Sequence, residues 1–287
     1  MVILQEERRI FLQVVFTNVL ILFMLLFLGY LIGIKKIVAH SSINDLTNLV
    51  VDVSMPCTIA LSMVRPFDAR LLGDAIKVMV AVLIFQLFLS GLAYYAAKIL
   101  KVDPKKSGSW IFSLVFSNNA FVGYPLMYAL YGNDGLFLMA MGNIVQNVLI
   151  FSLGIKLITL NYNLRDRIRL RHIIFTKQNI AVVVGMFIFF LQIPVPKPVL
   201  TLVTYVANLT VPLSMMVVGM SLSRYDVSKM FTDKEAYRLT IIRMVLLPLV
   251  MVAIFKGLGI QANQNLPLAI LFFTAALPAP AFTTIMA

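Results

Sequence analysis

The chain reads as an all-α integral membrane protein, and three observations lead there: its composition, the length of its apolar runs, and the placement of its positive charge. Hydrophobic residues make up 61% of the 287 positions and charged residues 13%, with a mean hydropathy of +0.94. A soluble domain is about half apolar and about a quarter charged, so a soluble fold is excluded. Crossing the hydrocarbon core takes roughly 20 mostly apolar residues. Runs of that kind occupy 10–34, 42–64, 74–97, 108–131, 135–159, 178–193, 198–222, 237–258 and 265–287. Nine such spans leave almost no chain for a water-soluble domain. The first run is longer than a signal-peptide core and lacks a small-x-small cleavage site, so it reads as a retained helix.

The net charge of +12 would suggest nucleic acid in a soluble protein, but here the lysines and arginines alternate with the loops. One side carries fifteen: Lys35, Lys36, Lys98, Lys101, Lys105, Lys106, Arg165, Arg167, Arg169, Arg171, Lys177, Arg224, Lys229, Lys234 and Arg238. The other carries six: Arg8, Arg9, Arg65, Arg70, Lys197 and Lys256. The richer side is expected in the cytoplasm of a cell (inner) membrane, with the N-terminus outside and the basic connection 161–177 inside. Anionic lipid head groups, not nucleic acid, are the partners such charges predict. The single cysteine, Cys57, lies within a span and excludes an intramolecular disulfide framework.

An internal repeat sets the expected architecture. Asp52-Val53-Ser54-Met55-Pro56 in the second span matches Asn208-Leu209-Thr210-Val211-Pro212 in the seventh: carboxylate or amide, apolar, hydroxyl, apolar, proline. Nearly the same offset carries Pro125 of the fourth span onto Pro280 of the ninth. A repeat of five spans, being odd, enters the membrane from opposite sides in its two copies, so the expected plan is two inverted five-helix repeats. Residues 1–160 form the first repeat, 161–177 a basic linker, and 178–287 the second. The offset carries the fifth span past position 287, so a tenth helix and the second half of the ninth are expected to be missing.

The segment Phe116-Ser117-Asn118-Asn119-Ala120-Phe121-Val122-Gly123-Tyr124-Pro125 lies mid-span. Two adjacent amides, a glycine and a proline this close together predict a broken helix, because proline deletes a backbone hydrogen bond and glycine loosens the chain. Leu277-Pro278-Ala279-Pro280-Ala281 supplies the matching break in the ninth span. Irregular backbone at membrane depth must be buried in protein or line a polar cavity, and half-helix N-termini favour an anion. Broken helices 4 and 9 therefore point to a midplane binding site. An ordinary kink or a Ser/Asn packing contact is the plainer reading of each break.

Asn143, Gln146 and Asn147 share one face of the fifth span, where they line the cavity or join helices by amide hydrogen bonds. Asp52, near the midplane, reads as a proton or cation relay or the partner of a buried cation. Arg243 and Lys77 either carry functional charge or snorkel to an interface. Asp74 and Lys77, three apart, can also pair with each other. His40 and His172 flank spans and receive no role. No phosphate loop, metal-spaced cluster or nucleophile with a base emerges, so neither enzyme activity nor a cofactor is expected.

The ten-span plan with two broken helices, the Asn118–Pro125 segment and the Asn208–Gly219 segment with Pro212 and Gly219 resemble the auxin efflux carrier family. That family holds plant auxin exporters and bacterial permeases assigned to malate or malonate. The resemblance covers essentially the whole chain. It implies a scaffold domain and a transport domain, and secondary active transport of a small organic anion by an elevator-like displacement. Asn118 and Asn119 then match the crossover amides that meet a substrate carboxylate, with Gly123, Pro125, Pro278 and Pro280 near the crossing. Gln146 and Asn147 resemble fifth-helix amides of the plant carriers, and Asp74 and Lys77 an acidic-basic pair spaced by four there and by three here. Expected partners are the anion, membrane lipids and, in a homodimer, a second copy of the chain. Two other readings remain: a sodium- or proton-coupled carrier of bile-acid-transporter type with Asp52 as ion site, and a membrane sensor that binds without transporting.

Overall fold

A computed structural model describes residues 2–39, 41–158, 176–225, 234–259 and 265–280. The basic linker with Arg165, Arg167, Arg169, Arg171 and His172 lies outside the described residues, as do His40, Lys229 and positions 281–287 of the ninth span. The described regular structure is helical throughout: α1 (Val2–Ile34), α2 (Ser42–Leu49), α3 (Met55–Met63), α4 (Ala69–Ile99), α5 (Pro104–Val115), α6 (Tyr124–Leu149), α7 (Ile155–Ile158), α8 (Lys177–Leu191), α9 (Lys197–Ala207), α10 (Thr210–Leu222), α11 (Lys234–Ile241), α12 (Leu247–Gly257) and α13 (Leu266–Ala276). Among the described residues six helical stretches are long and apolar enough to cross a membrane, and two shorter apolar helices, α8 and α13, accompany them. One of the six, Pro104–Gly154, covers two of the expected spans because it folds back at Gly132, whose φ of 60° and ψ of −145° only glycine adopts without strain. Large apolar side chains such as Phe23, Phe88 and Ile99 are well exposed, as lipid-facing residues are.

The helix ends follow local chemistry. Asp68 caps α4, accepting from the backbone N–H of Arg70 at 2.8 Å and of Leu71 at 3.2 Å. Asp103 does the same for α5 at Lys105, and Asn265 for α13 at Leu268. Among the described residues four π-helical turns run between α-helices, Val50–Ser54, Asn119–Gly123, Ile150–Gly154 and Ile242–Leu246. Three of them lead directly into an Xaa-Pro step: Met55-Pro56, Tyr124-Pro125 and Leu247-Pro248. Proline has no N–H for the carbonyl four residues back, and its ring presses against that carbonyl, so the preceding turn widens by one residue. Asp52, Asn119 and Arg243 each sit in one of these widened turns.

The described residues fall into two compact units, and each draws on both halves of the chain. The first comprises residues 1–67, 124–137 and 180–226. Within it α1 packs along α10, and α3 packs against α9. The α1–α10 seam is made by small residues. A Cβ at Gly29 would collide with the Met216 carbonyl, one at Gly33 with the Ser223 hydroxyl, and one at Gly219 with the Leu26 carbonyl and the Tyr30 nitrogen. Gly29 and Gly33 stand four apart on α1, where they meet Met216 and the capping Ser223, and Gly219 of α10 meets Leu26 and Tyr30 in return. This is the small-xxx-small arrangement that lets membrane helices approach to backbone contact. The two copies of the repeated motif also meet here. The Thr58 hydroxyl, two residues past Pro56, lies 2.6 Å from that of Thr210, 2.8 Å from the Ser54 carbonyl and 3.1 Å from the Ala207 carbonyl.

The second unit comprises residues 68–123, 138–179 and 227–287. Its core gathers Leu89, Ala93, Trp110, Ile111, Phe112, Val115, Phe116 and Leu149. The rings of Phe112 and Phe116 stand 4.9 Å apart, and Gly154 admits both rings against its backbone. Here α4 packs on α5 and on α13, bringing the fourth and ninth spans into one body.

The small-residue seam gives a first test. Gly219→Val should destabilise the protein by about 1–3 kcal/mol, the cost of forcing methyl groups into a filled contact. The thermal unfolding midpoint in detergent measures this, while Gly257→Ala, where an added Cβ meets open space, should leave it almost unchanged.

Candidate functional site

The fourth span breaks where the amides, glycine and proline predict. Helix α5 stops at Val115, and Phe116 turns to extended backbone at φ −96° and ψ 142°. Ser117 and Asn118 are irregular, and the π turn Asn119–Gly123 restarts the helix that continues into α6. Asn118 caps the restart: its Oδ1 accepts from the Phe121 N–H at 3.2 Å, and its carbonyl accepts from the N–H groups of Val122 and Gly123. The ninth span breaks as well. Helix α13 ends at Ala276, Leu277 is extended at φ −68° and ψ 148°, and Pro278, Ala279 and Pro280 are irregular. The two breaks touch, with the Asn118 N–H donating to the Pro278 carbonyl at 2.9 Å. Gly123 makes the fit close, because a Cβ there would strike Met139 and Leu277.

Both breaks leave the last carbonyls of a helix without intrahelical donors, and one residue answers them. Arg243, in the π turn between α11 and α12, is only 2% exposed. Its Nε donates to the Leu277 carbonyl at 2.8 Å. Its Nη1 donates to the carbonyls of Ser113 at 2.7 Å and Leu114 at 2.5 Å. Of the two readings open for Arg243 in the sequence, snorkelling is the wrong one: the side chain runs inward to the ends of both half-helices.

A second polar group holds the irregular residues of the fourth span. Gln146, from the fifth span, donates through Nε2 to the Ser117 carbonyl at 2.7 Å, and its Oε1 faces the Ser117 hydroxyl at 2.8 Å and N–H at 3.4 Å. Gln86 of α4, fully buried, donates to the same Oε1 at 2.7 Å. The Ser117 hydroxyl also lies 2.8 Å from Asn119 Oδ1. One hydroxyl proton faces two acceptors. Gln146 Oε1 already has the Gln86 amide, whereas Asn119 Oδ1 has no other donor among the described residues. The proton therefore belongs to Asn119, whose amide is gripped by its oxygen and keeps its Nδ2 donor for something else.

The other sequence candidates are distributed around these. Asn143 is buried, and Asn147 bonds across to Asn179 at 3.3 Å, so Gln146 and Asn147 both join helices. Pro125 opens α6, and Pro278 and Pro280 belong to the second break. Asp74 and Lys77 pair with each other at 2.9 Å, with the lysine side chain 71% exposed. In the first unit, Asp52 is half-buried in its π turn. There Asn208 borders a cavity of roughly 320 Å³ shared with Asn18, Thr58, Tyr128 and Asn133. Sequence reasoning passed over Gln86 and the role of Ser117. Gln86 had one signal: the offset that carries Asp52 onto Asn208 carries it to the position just before Arg243.

Comparison with known proteins bears on this arrangement. A family model described as membrane transport protein matches residues 14–287. An uncharacterized transporter of Methanocaldococcus jannaschii is 28% identical over 213 residues, covering 71% of this chain and 68% of that protein. An uncharacterized transporter of Methanothermobacter thermautotrophicus is 24% identical over 206 residues, 72% of this chain and 67% of that one.

The polar clasp predicts an asymmetry between neighbouring amides. Gln146→Leu strands the buried N–H and carbonyl of Ser117 and should cost about 1–3 kcal/mol for each group left unsatisfied. Asn147→Leu, which loses one long, half-buried bond, should cost less than about 1 kcal/mol. Unfolding midpoints of the two variants, measured side by side, check the order.

Proposed function

The chain belongs to the membrane transport protein family, the auxin efflux carrier family that its sequence resembles, and on that premise we propose that it carries a small organic anion by secondary active transport. It is a multi-pass membrane protein of a transporter family; the substrate class and the mechanism are our reading. The observation that carries it is the meeting of two broken helices at Asn118 and Pro278, with the Asn119 amide held by its oxygen. A carboxylate needs N–H donors and a positive field. The restarted helix at Asn119 offers its N-terminal pole, and Asn119 Nδ2 offers a neutral donor beside it. Neutral donors bind an anion without the tight grip of a lysine or arginine pair, which suits a site that must release its cargo.

In this reading the carboxylate docks on Asn118, Asn119 and the half-helix start. The unit holding them, with the crossing of the fourth and ninth spans, moves the site between the two membrane faces while the other unit serves as scaffold. Malate, malonate and an auxin-like aryl acetate are the substrates to try first. The membrane is the cell membrane, with the N-terminus outside and residues 161–177 in the cytoplasm, as the charge bias favours.

Uptake of radiolabelled malate, malonate and indole-acetate into proteoliposomes, with and without a proton or sodium gradient, tests the proposal. Asn119→Ala should lower kcat/KM by roughly ten- to hundredfold, the worth of one charge-assisted hydrogen bond, and Asn119→Asp by more, since it sets like charge against the anion. Unchanged uptake in both variants moves the site elsewhere, and no uptake of any of the three anions sinks the substrate class. Orientation is checked separately on a Cys57→Ser background. A membrane-impermeant thiol reagent added to intact cells should label Lys197→Cys and spare Lys105→Cys, and the reverse pattern would invert the topology.

A further inference from the structure

We infer that the C-terminal ends of the two half-helices form a cation site and that the Arg243 guanidinium is its permanent occupant, so that no sodium ion is taken up at this junction. The site rests on geometry alone; its consequence for transport rests on the proposed function.

Each helix C-terminus carries a partial charge of about −0.5, concentrated on its last free carbonyls. Here the end of α5, at Ser113 and Leu114, meets the unwound carbonyl of Leu277, the first residue past α13. Together they present the partial negative charge of a helix end and a further carbonyl dipole in a buried place. Broken membrane helices commonly use their C-terminal ends and unwound carbonyls to coordinate a sodium ion or a proton. In this chain the three carbonyls take hydrogen bonds from Nε and Nη1 of Arg243 instead. Among the described residues no carboxylate pairs with this guanidinium. A buried, unneutralised guanidinium is costly enough to be untenable, so the two helix ends are what balance it. The planar fork suits the task, since it spans two chain segments with donors fixed in one plane, which a spherical ammonium does not do. The π turn that carries Arg243 ahead of Pro248 sets the side chain at this depth.

The occupant is covalently part of the chain, so it supplies charge balance without coupling transport to an ion gradient. That separates this chain from a carrier whose crossing helices must fill with sodium before they move.

The test uses the purified protein in detergent and in proteoliposomes. In choline chloride, added sodium chloride should leave the wild-type unfolding midpoint unmoved. Arg243→Ala should unfold at lower temperature and recover part of the loss, saturably, with millimolar guanidinium or methylguanidinium. Should Arg243→Ala fail to fold, Arg243→Lys and Arg243→Met decide the matter. A lysine variant more stable than the methionine variant supports a charge requirement, and a methionine variant as stable as either cation overturns it. A saturable sodium shift of the wild-type midpoint also overturns the proposal. Malate uptake should be equal with and without a sodium gradient in the wild type and fall roughly ten- to hundredfold in Arg243→Met; sodium-driven uptake counts against the inference. Absence of uptake of malate, malonate and indole-acetate alike in the wild type refutes the substrate reading, while the stability measurements still decide the site.

Discussion

Inside a bilayer a backbone carbonyl released at the end of a helix finds no water, and each one left alone is costly. Two broken helices in one bundle multiply that debt, and the position of Arg243 follows from it. Its guanidinium reaches the closing carbonyls of α5 and the Leu277 carbonyl beyond α13, uniting in one contact the ends of segments more than a hundred residues apart in the chain. That contact satisfies carbonyls which the breaks in the fourth and ninth spans release, beside the irregular segment that holds Asn118 and Asn119.

The opposite side of the break obeys the same rule with neutral groups. Ser117 cannot give its N–H and carbonyl to a helix, and Gln146 takes both, steadied by Gln86. Charge is spent where helix C-termini gather negative potential, and amides are used where the restarted helix points its positive pole. On the proposed reading, the division leaves the Asn119 donor in a field that attracts an anion without a fixed counter-charge competing for it.

Much of this was legible beforehand, and the limits are physical. The break at 116–125 announced itself because adjacent amides, glycine and proline have no cheap place in a lipid-facing helix. Asn118 and Asn119 could be chosen for the same reason. Gln86 could not, since a lone glutamine among apolar residues looks the same whether it joins helices or orders a site. Arg243 was visible as a charge, but the direction of a long side chain depends on acceptors contributed by α5 and α13, which local sequence does not reveal. Gly219 entered as a motif residue without a reason, and the reason is the backbone of α1 at Leu26 and Tyr30. The repeat expected from the sequence would divide the chain at its middle, whereas the compact units each gather segments from both halves, because packing joins helices that lie far apart in sequence.

The widened turns carry a consequence for how this chain tolerates change. A π turn is an α-helix with one surplus residue, so every side chain beyond it is rotated by about 100° relative to an uninterrupted helix. Losing a single residue near Val50–Ser54, Asn119–Gly123 or Ile242–Leu246 would shorten a span hardly at all, yet it would swing the whole remaining helix to a different face. Length is therefore a forgiving property of these spans and phase an unforgiving one: a one-residue deletion in them should be far more damaging than most substitutions nearby.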